Sequence, residues 1–363
     1  MAAKGRSVRN LARGCPLQFQ SAVVTGATGH IGNVLVRELV ARGKRVRALA
    51  LPDDDLRPLA GLPVEVVRGD VTDPGSLAPF FRGAEVAFHL AGVVSISSRN
   101  ASLVRRVNVE GTRNVVAACR EAGVRRLVHT ASVHALVEPA PDGVLEESAG
   151  YDPGRAVGAY GQSKAEGALA VLEAVRAGLD AVLVLPVAVT GPYDYRLSEM
   201  GDLIRLFVRR RIPAVVDGGY DFVDVRDVAR GHVLACECGT PGESYLLNGG
   251  RLRVREVMAV LAEEAGRKPP RIAIPLPVAA AIARLAPAWE LLTGTRALLT
   301  PYSVHTISIR FRISDRKARE VLGYASIPPA DSLRDAYRWM TTDPGSPLLR
   351  SAPAARPSRL PRT

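Results

Sequence analysis

The apolar positions of this 363-residue chain fall into short runs that alternate with stretches of helical period. Ser21 to Thr25 is an apolar run of strand length, and Ile31 to Ala41 repeats its apolar residues at helical spacing before stopping at Gly43. Val46–Leu51 and Val64–Arg68 read as strands, Pro74–Phe81 as a short helix and Glu85–Leu90 as another strand. Leu103–Ala122 is a long amphipathic helix stopped by Gly123. Strand Arg126–Thr130, helix Tyr160–Ala177 and strand Ala181–Val187 follow. Such alternation predicts an α/β chain with one parallel, doubly wound sheet, covered on both faces through right-handed crossovers. Ligands of such sheets sit at the carboxyl ends of the strands, so motifs there carry extra weight.

After Pro186 the rhythm loosens. Gly191-Pro192, Gly218-Gly219, Pro241-Gly242 and Gly249-Gly250 separate shorter elements. The expected division is a flexible basic tail over 1–19 and a first domain over 20–190, to which later segments return a strand and a helix. A smaller mixed cap over 191–342 would supply the substrate pocket, and a disordered Pro/Arg-rich tail would fill 343–363. The longest apolar stretch, Ile272 to Leu299, is interrupted by Pro275, Pro277, Arg284, Pro287, Glu290 and Arg296. A spanning helix needs about 20 mostly apolar residues. A core helix pair or a substrate lid is therefore preferred here over an interfacial contact.

Composition narrows the class. With 47% hydrophobic and 23% charged residues the bulk is globular, and 5% aromatics argues against a nucleic-acid stacking platform. A net charge of +12 would otherwise point to a polyanion or a membrane surface. Its placement weakens that idea. Residues 1–18 carry Lys4, Arg6, Arg9 and Arg13 without an acid, and residues 343–363 carry Arg350, Arg356, Arg359 and Arg362 against Asp343. The two ends thus hold +7, and +5 remains on the core. Solvated ends are the preferred reading, nucleic acid is not an expected partner, and membrane-surface contact has no support beyond charge. Cys15, Cys119, Cys236 and Cys238 show neither disulfide-scaffold density nor a paired CxxC spacing. Buried or half-buried thiols in a reducing cytoplasm are expected. Residues 1–20 lack the apolar core of a secretory leader.

Between the first strand and the first helix stands Thr25-Gly26-Ala27-Thr28-Gly29-His30-Ile31-Gly32. The spacing is GxxGxxG rather than GxGxxG, but the physics is shared. Gly26 permits a tight turn, Gly29 lets backbone approach a pyrophosphate, and Gly32 permits close helix–strand packing. The helix N-terminus offers free N–H groups and the positive end of its dipole to phosphates. A nicotinamide dinucleotide, NAD or NADP, is the expected ligand. Choice between them rests on the end of the second strand, where an acid selects NAD and an arginine NADP. That end, Ala48-Leu49-Ala50-Leu51-Pro52, has neither. Asp53, Asp54 and Asp55 follow and would repel a 2′-phosphate, which tips the balance towards NAD; a solvated turn is the competing reading.

Tyr160 and Lys164 form YxxxK on one face of a helix. An ammonium beside a phenol stabilises the phenolate, so the pair can exchange a proton with a substrate oxygen near neutral pH. Ser132 closes the fifth strand at the carboxyl edge of the sheet, where its hydroxyl can reach the same oxygen. Other segments stand in order: GDVTD at Gly69–Asp73, HLAG at His89–Gly92, VNVEGTRNVV at Val107–Val116, LPVAVTGPYD at Leu185–Asp194, DFVDVRDVA at Asp221–Ala229 and SDRKAREVLGY at Ser314–Tyr324. With these the chain resembles the extended short-chain dehydrogenases/reductases of the NAD-dependent epimerase/dehydratase family, over Ser21 to Trp339. Its later half is similar to dihydroflavonol-reductase-like, 3β-hydroxysteroid-dehydrogenase-like and hopanoid-associated sugar-epimerase-like members.

The resemblance implies a Rossmann sheet and assigns roles by position. Gly26, Thr28, Gly29, His30, Ile31 and Gly32 would hold the pyrophosphate end of the cofactor. Asp70 and Val71 would lie at the adenine, while Ala91 and Gly92 would pass close to the cofactor. Asn108 would organise a proton relay, Tyr160 would be the acid/base, and Lys164 would also bind the nicotinamide ribose. Pro186 to Val189 would border the nicotinamide. Similar sequences carry Arg-Pro where this chain has Leu185-Pro186, a departure that bears on packing or cofactor support. His89, His129, His134, His232 and His305 show no spaced metal pattern, and no metal is expected. His134 reads as a packing or rim residue.

Three functions compete: an oxidoreductase interconverting hydroxyl and carbonyl on a hydrophobic small molecule, a nucleotide-sugar epimerase or dehydratase with retained NAD, and a non-catalytic cofactor-binding scaffold. Intact Ser132, Tyr160 and Lys164 disfavour the last. The resemblance also implies a homodimer through the helices Leu103–Ala122 and Tyr160–Ala177.

Overall fold

The computed structural model describes residues 17–94, 100–286 and 299–349. The chain opens with β1 (Ser21–Thr25), α1 (His30–Ala41), β2 (Arg45–Ala50), β3 (Glu65–Arg68), α2 (Pro74–Phe81) and β4 (Val86–His89). Next come α3 (Ala101–Arg105), a π-helical turn (Arg106–Glu110), α4 (Gly111–Glu121), β5 (Arg126–Thr130), β6 (Val144–Leu145), α5 (Gly158–Arg176) and β7 (Ala181–Pro186). The two helices at α3 and α4, with the turn between them, replace the single regular helix expected over Leu103–Ala122. A π turn inserts one extra residue per turn and re-aims the side chains that follow, and such turns recur at functional sites.

The second half contributes β8 (Ala188–Thr190), α6 (Glu199–Val208), β9 (Ala214–Val216), β10 (Gly219–Asp224), α7 (Val225–Cys238), β11 (Ser244–Leu247), β12 (Gly250–Arg253), α8 (Val254–Glu264), β13 (Ile272–Ile274) and α9 (Leu276–Ala283). Helix Pro301–Ser308, β14 (Arg312–Ile313) and helix Pro329–Thr342 complete the described part.

Seven strands form one sheet in the order β11-β7-β5-β4-β1-β2-β3. Every pairing in it is parallel. The chain reverses direction between β1 and β4, which opens a crevice at their carboxyl ends. The central strands VAFH, RLVHT and AVLVLP are buried along their whole length, as strands covered on both faces must be. α7 packs on α1, and β11 pairs with β7, so both return to the first domain. Leu185, at the departure from Arg-Pro, is fully buried opposite Leu246 on β11, where an aliphatic side chain suits the sheet core. Arg126 opens β5 almost fully buried and is satisfied by Asp180 at 2.8 and 2.9 Å and by the carbonyls of Cys236 and Gly239. That network fastens β5 to the end of α7; a buried guanidinium left without those acceptors would be strongly destabilising.

The cap holds a three-stranded sheet β12-β10-β8 and the parallel pair β13-β9. Its own core joins α6, α8 and helix Pro329–Thr342 around Phe207, Phe222, Leu261 and Trp339. In the apolar stretch, α9 buries Ala279 and Ala283 but exposes Val278 and Ile282; residues 287–298 of that stretch lie outside the described residues. Cys119 and Cys236 are buried free thiols, as expected, whereas Cys238 takes part in a disulfide, which corrects the expectation of four thiols. No described helix is long and apolar enough to cross a membrane.

Candidate active site

The glycine turn sits at the crevice between β1 and β4. Gly26 has φ +68°, and a Cβ there would lie 2.6 Å from the Ala91 nitrogen at the end of β4. A Cβ on Gly32 would lie 2.1 Å from the Gly26 carbonyl oxygen. The close approach at Gly32 is therefore to the turn itself, not to a strand. α1 begins at His30 with no side-chain cap and no acid in its first turn, so its leading N–H groups face the crevice unopposed by carboxylate. That donor set, together with the absence of any Cβ at Gly26, Gly29 and Gly32, fits a pyrophosphate. Ile31 packs against the core below it. His30 turns its ring to the Pro192 carbonyl at 2.9 Å.

Asp70 and Val71 follow the end of β3. Asp70 Oδ1 accepts from the Thr72 N–H at 2.8 Å, and Val71 is buried, its carbonyl accepting from Asn114 at 3.0 Å. Of the three acids after β2, Asp53 is exposed, Asp55 pairs with Arg57, and only Asp54 reaches the turn, accepting from the Thr28 hydroxyl at 2.6 Å.

Ser132 lies beyond the end of β5 and caps a short 3-10 turn, its oxygen accepting from the His134 N–H at 3.3 Å. The same hydroxyl lies near enough to Tyr160 to stabilise its phenolate and pull the phenol down. Tyr160 stands on the first turn of α5, and Lys164 one turn later donates to the Thr130 carbonyl at 2.7 Å. The phenol is not depressed by the lysine. Burial holds Tyr160 above its ordinary value, with the Ser132 hydroxyl opposing. Burial also brings Lys164 down to about 8. The ammonium faces a carbonyl rather than the phenol, which explains the difference from the YxxxK expectation.

Asn108 falls within the π turn. Its Oδ1 accepts from the Val93 N–H at 2.8 Å, and its Nδ2 donates to the Val93 carbonyl and to Ser163 Oγ, each at 3.0 Å. Asn108 therefore clasps the strand end carrying Ala91 and Gly92 to the helix carrying Tyr160. A Cβ on Gly92 would meet Asn108 Oδ1 at 3.2 Å and Lys164 Nζ at 3.4 Å, so only glycine leaves this corner open. Pro186 ends β7 in the seven-stranded sheet, and Val189 lies in β8, the next strand in the chain and part of the three-stranded cap sheet.

Sequence reasoning passed over three features. His89 is one. Thr112 Oγ1 donates to the Asn108 carbonyl at 2.7 Å, so His89 must donate to Thr112 through Nε2 at 3.0 Å. Its Nδ1 then accepts from Thr25 Oγ1 at 2.8 Å, and that hydroxyl accepts from the Ala91 N–H at 3.2 Å. Burial holds His89 near 3, so the ring is neutral and the chain of bonds has one direction. The second feature is an aromatic wall. His134 lies 6.4 Å from the Tyr160 ring and 5.7 Å from the Tyr302 ring, measured between centroids. The third is the pairing of His305 with Glu138 at 2.9 Å, which docks helix Pro301–Ser308 over this corner. These partners lie some 170 residues apart, and no local pattern announces them. Among the described residues no cluster of His, Cys, Asp and Glu is placed to hold a metal; His232 spends both ring nitrogens on Thr130 and Val228.

The profile of the NAD dependent epimerase/dehydratase family matches residues 22–247. The chain belongs to that family. A sterol demethylase protein B of Methylococcus capsulatus is 37% identical over 88% of this chain and 98% of its own length. A putative dihydroflavonol 4-reductase of Synechocystis is 36% identical over 70% of this chain and 75% of its own. Among solved structures, gox2253 superposes with a TM-score of 0.78 at 31% identity, covering 90% of this chain and 100% of that one. This family member is an NAD(P)-dependent enzyme of the extended short-chain dehydrogenase/reductase type.

Proposed function

We propose that the protein interconverts a hydroxyl and a carbonyl group on a bulky hydrophobic, sterol-like substrate, with Tyr160 as the proton-transfer residue. The observation that carries this reading is the Tyr160 ring 6.4 Å from the ring of His134, which lines a mixed pocket beside it. Val187, Ala188, Tyr220, Phe311 and Ile313 give that pocket its apolar side, and Glu138 and the Asp221–Arg251 ion pair its polar one. The relatives named for sterol and dihydroflavonol chemistry support a polycyclic substrate.

When bound, the nicotinamide supplies the acceptor or donor of a hydride. The chain's own residues do the rest. Ser132 holds the substrate oxygen, and the Tyr160 hydroxyl exchanges the proton with it. Lys164, anchored on Thr130, presents its charge beside Gly92. Asn108 and His89 fix the strand end against α5, so that the proton-transfer group and the dinucleotide floor keep one spacing. Asp70, Val71 and the 25–32 turn would hold the adenosine and phosphate end.

The test is incubation of the full chain with NAD and a panel of 3β-hydroxysterols and flavonoid alcohols, following NADH by absorbance. Stoichiometric NADH formation is expected. Turnover of a nucleotide sugar with tightly retained NAD and no net NADH would replace this reading with the epimerase one.

A further inference from the structure

β2 ends without the acid or base that a ribose-contacting position carries, since Leu51 follows Ala50 on the surface. The chain compensates from two directions. Asp54 folds back over the end of β2, accepting from the Leu51 N–H and the Thr28 hydroxyl. From the cap, Arg196 then reaches across 142 residues of sequence to pair with Asp54 Oδ1 and to donate to Thr28 Oγ1 at 3.0 Å. Asp54 is 13% exposed and Arg196 44% exposed, so the pair closes the mouth of the turn with the guanidinium outermost. On the other side of Asp54, Arg68 donates to its carbonyl and to that of Leu51.

The loop that presents Arg196 is built for the purpose. Tyr193 and Leu197 both adopt positive φ, at +68° and +55°, conformations costly for residues other than glycine. The loop is tied down at His30 through Pro192, at Asn33 Nδ2 through the Tyr193 carbonyl at 3.1 Å, and by the Arg37 guanidinium 4.6 Å above the Tyr193 ring. All three anchors belong to α1, the helix that opens on the glycine turn. Arg196 is thus held against the dinucleotide site by that site's own helix.

We propose that Arg196, supplied by the cap, sets the choice between NAD and NADP: it neutralises Asp54, which would otherwise reject a 2′-phosphate, and offers that phosphate a guanidinium beside Thr28. The inference rests on residues 25–32 being a dinucleotide site. An unpaired Asp54 would favour the ribose hydroxyls of NAD and repel NADP. With Arg196 in place the Asp54 carboxylate is neutralised, Arg68 stands behind it on the Leu51 and Asp54 carbonyls, and NADP is accepted alongside NAD.

Calorimetric titration of the full chain, without substrate, tests this through the ratio of the Kd values for NADP and NAD. Arg196→Ala is expected to move the ratio towards NAD by roughly ten- to a hundredfold, the effect of one charged hydrogen-bonding partner. Arg196→Gln, which keeps a donor for Asp54 without the charge, should move it in the same direction. Asp54→Asn should move it the opposite way. A general loosening of loop 191–198 changes both Kd values alike and leaves the ratio alone. An unchanged ratio in Arg196→Ala and Arg196→Gln, or a shift in the same direction for Asp54→Asn, would make Arg196 a structural tie and overturn the proposal. If the unaltered chain binds neither dinucleotide, the dinucleotide site itself is wrong and this inference falls with it.

Discussion

The crevice has two walls, and they are built by different means. The sheet-edge wall is made of backbone: Gly26 against Ala91, Gly32 against Gly26, Asn108 clasping Val93, Lys164 on the Thr130 carbonyl. Each of these contacts constrains which residue type can stand at its position. The cap wall is made of side chains that meet only in the fold, among them His134 with Tyr302, Glu138 with His305, and Asp54 with Arg196. A backbone wall tolerates few substitutions, because each added Cβ meets main chain. A side-chain wall can be rebuilt without disturbing the sheet, and it is where substrate and cofactor preference can diverge.

The comparison is sharpest at Tyr160. Tyr160→Phe removes one oxygen and leaves the backbone wall intact. Turnover should fall by about 10²- to 10⁴-fold, the usual worth of a positioned acid/base. The dinucleotide Kd should stay within about twofold, because Tyr160→Phe leaves the glycine turn and the N-terminus of α1 untouched. Steady-state kinetics beside calorimetric titration checks both; a variant that keeps full activity would remove Tyr160 from the chemistry.

A backbone position should behave otherwise. Gly32→Ala places a Cβ 2.1 Å from the Gly26 carbonyl oxygen, where no side-chain rotation relieves it. Overpacking of this kind costs about 1–3 kcal/mol. Urea unfolding should register that loss, and dinucleotide affinity should fall with it, because the turn itself must move. If stability falls but affinity does not, the turn is a packing device only.

On the cap wall Tyr302→Ala should raise the substrate KM about tenfold, comparable with loss of one aromatic contact. Stability and dinucleotide affinity should barely change, since Tyr302 is only half-buried and touches Gly158 and His134 rather than the turn. Equal losses of KM and dinucleotide affinity would erase the distinction between the walls.

What the sequence made legible follows the same division. The helix Pro74–Phe81 was readable to the residue, because Asp73 caps it and proline opens it, both local requirements. The glycine turn was readable because sterics at Gly26 admit nothing else. The π turn at Asn108 was not, since one inserted residue leaves the apolar period of Leu103–Ala122 nearly unchanged. Nor was the raised Tyr160 phenol, because YxxxK spacing fixes which face the lysine shares but not that its ammonium turns to Thr130. Asp54 was in view without its partner: Arg196 lies in a loop whose path depends on Trp339 and α1, not on its own pattern.

A titration separates the walls again. Burial lowers Lys164 to about 8, so the cofactor-free chain loses this ammonium as pH rises through that value. An alkaline limb near pH 8 is expected in kcat/KM, falling about tenfold per pH unit beyond it, as for one essential protonated group. Lys164→Arg should carry that limb out of range, since arginine stays charged. A limb that persists unchanged in Lys164→Arg belongs to another group.

The smallest effect should come from the cap. Glu138 raises His305 above its ordinary 6.5 by hydrogen-bonding the imidazolium. A group whose folded value is raised contributes fully below its unfolded value, and the contribution is lost as pH rises through the folded value. Docking of helix Pro301–Ser308 should therefore be firmest below about pH 6.5 and weaken at higher pH. Both partners are about a third exposed, at 36% and 28%, so solvent screening limits the gain to about a twofold change in substrate KM. His134, held near 4 by burial, stays neutral across this window and adds no titration of its own. In His305→Gln the KM should become flat between about pH 6 and pH 7, around the ordinary histidine value and below the Lys164 limb. A KM that still drifts in His305→Gln would mean that the pH sensitivity resides in the sheet-edge wall, with Lys164, and that the cap helix is docked by Tyr302 and Val304 packing alone.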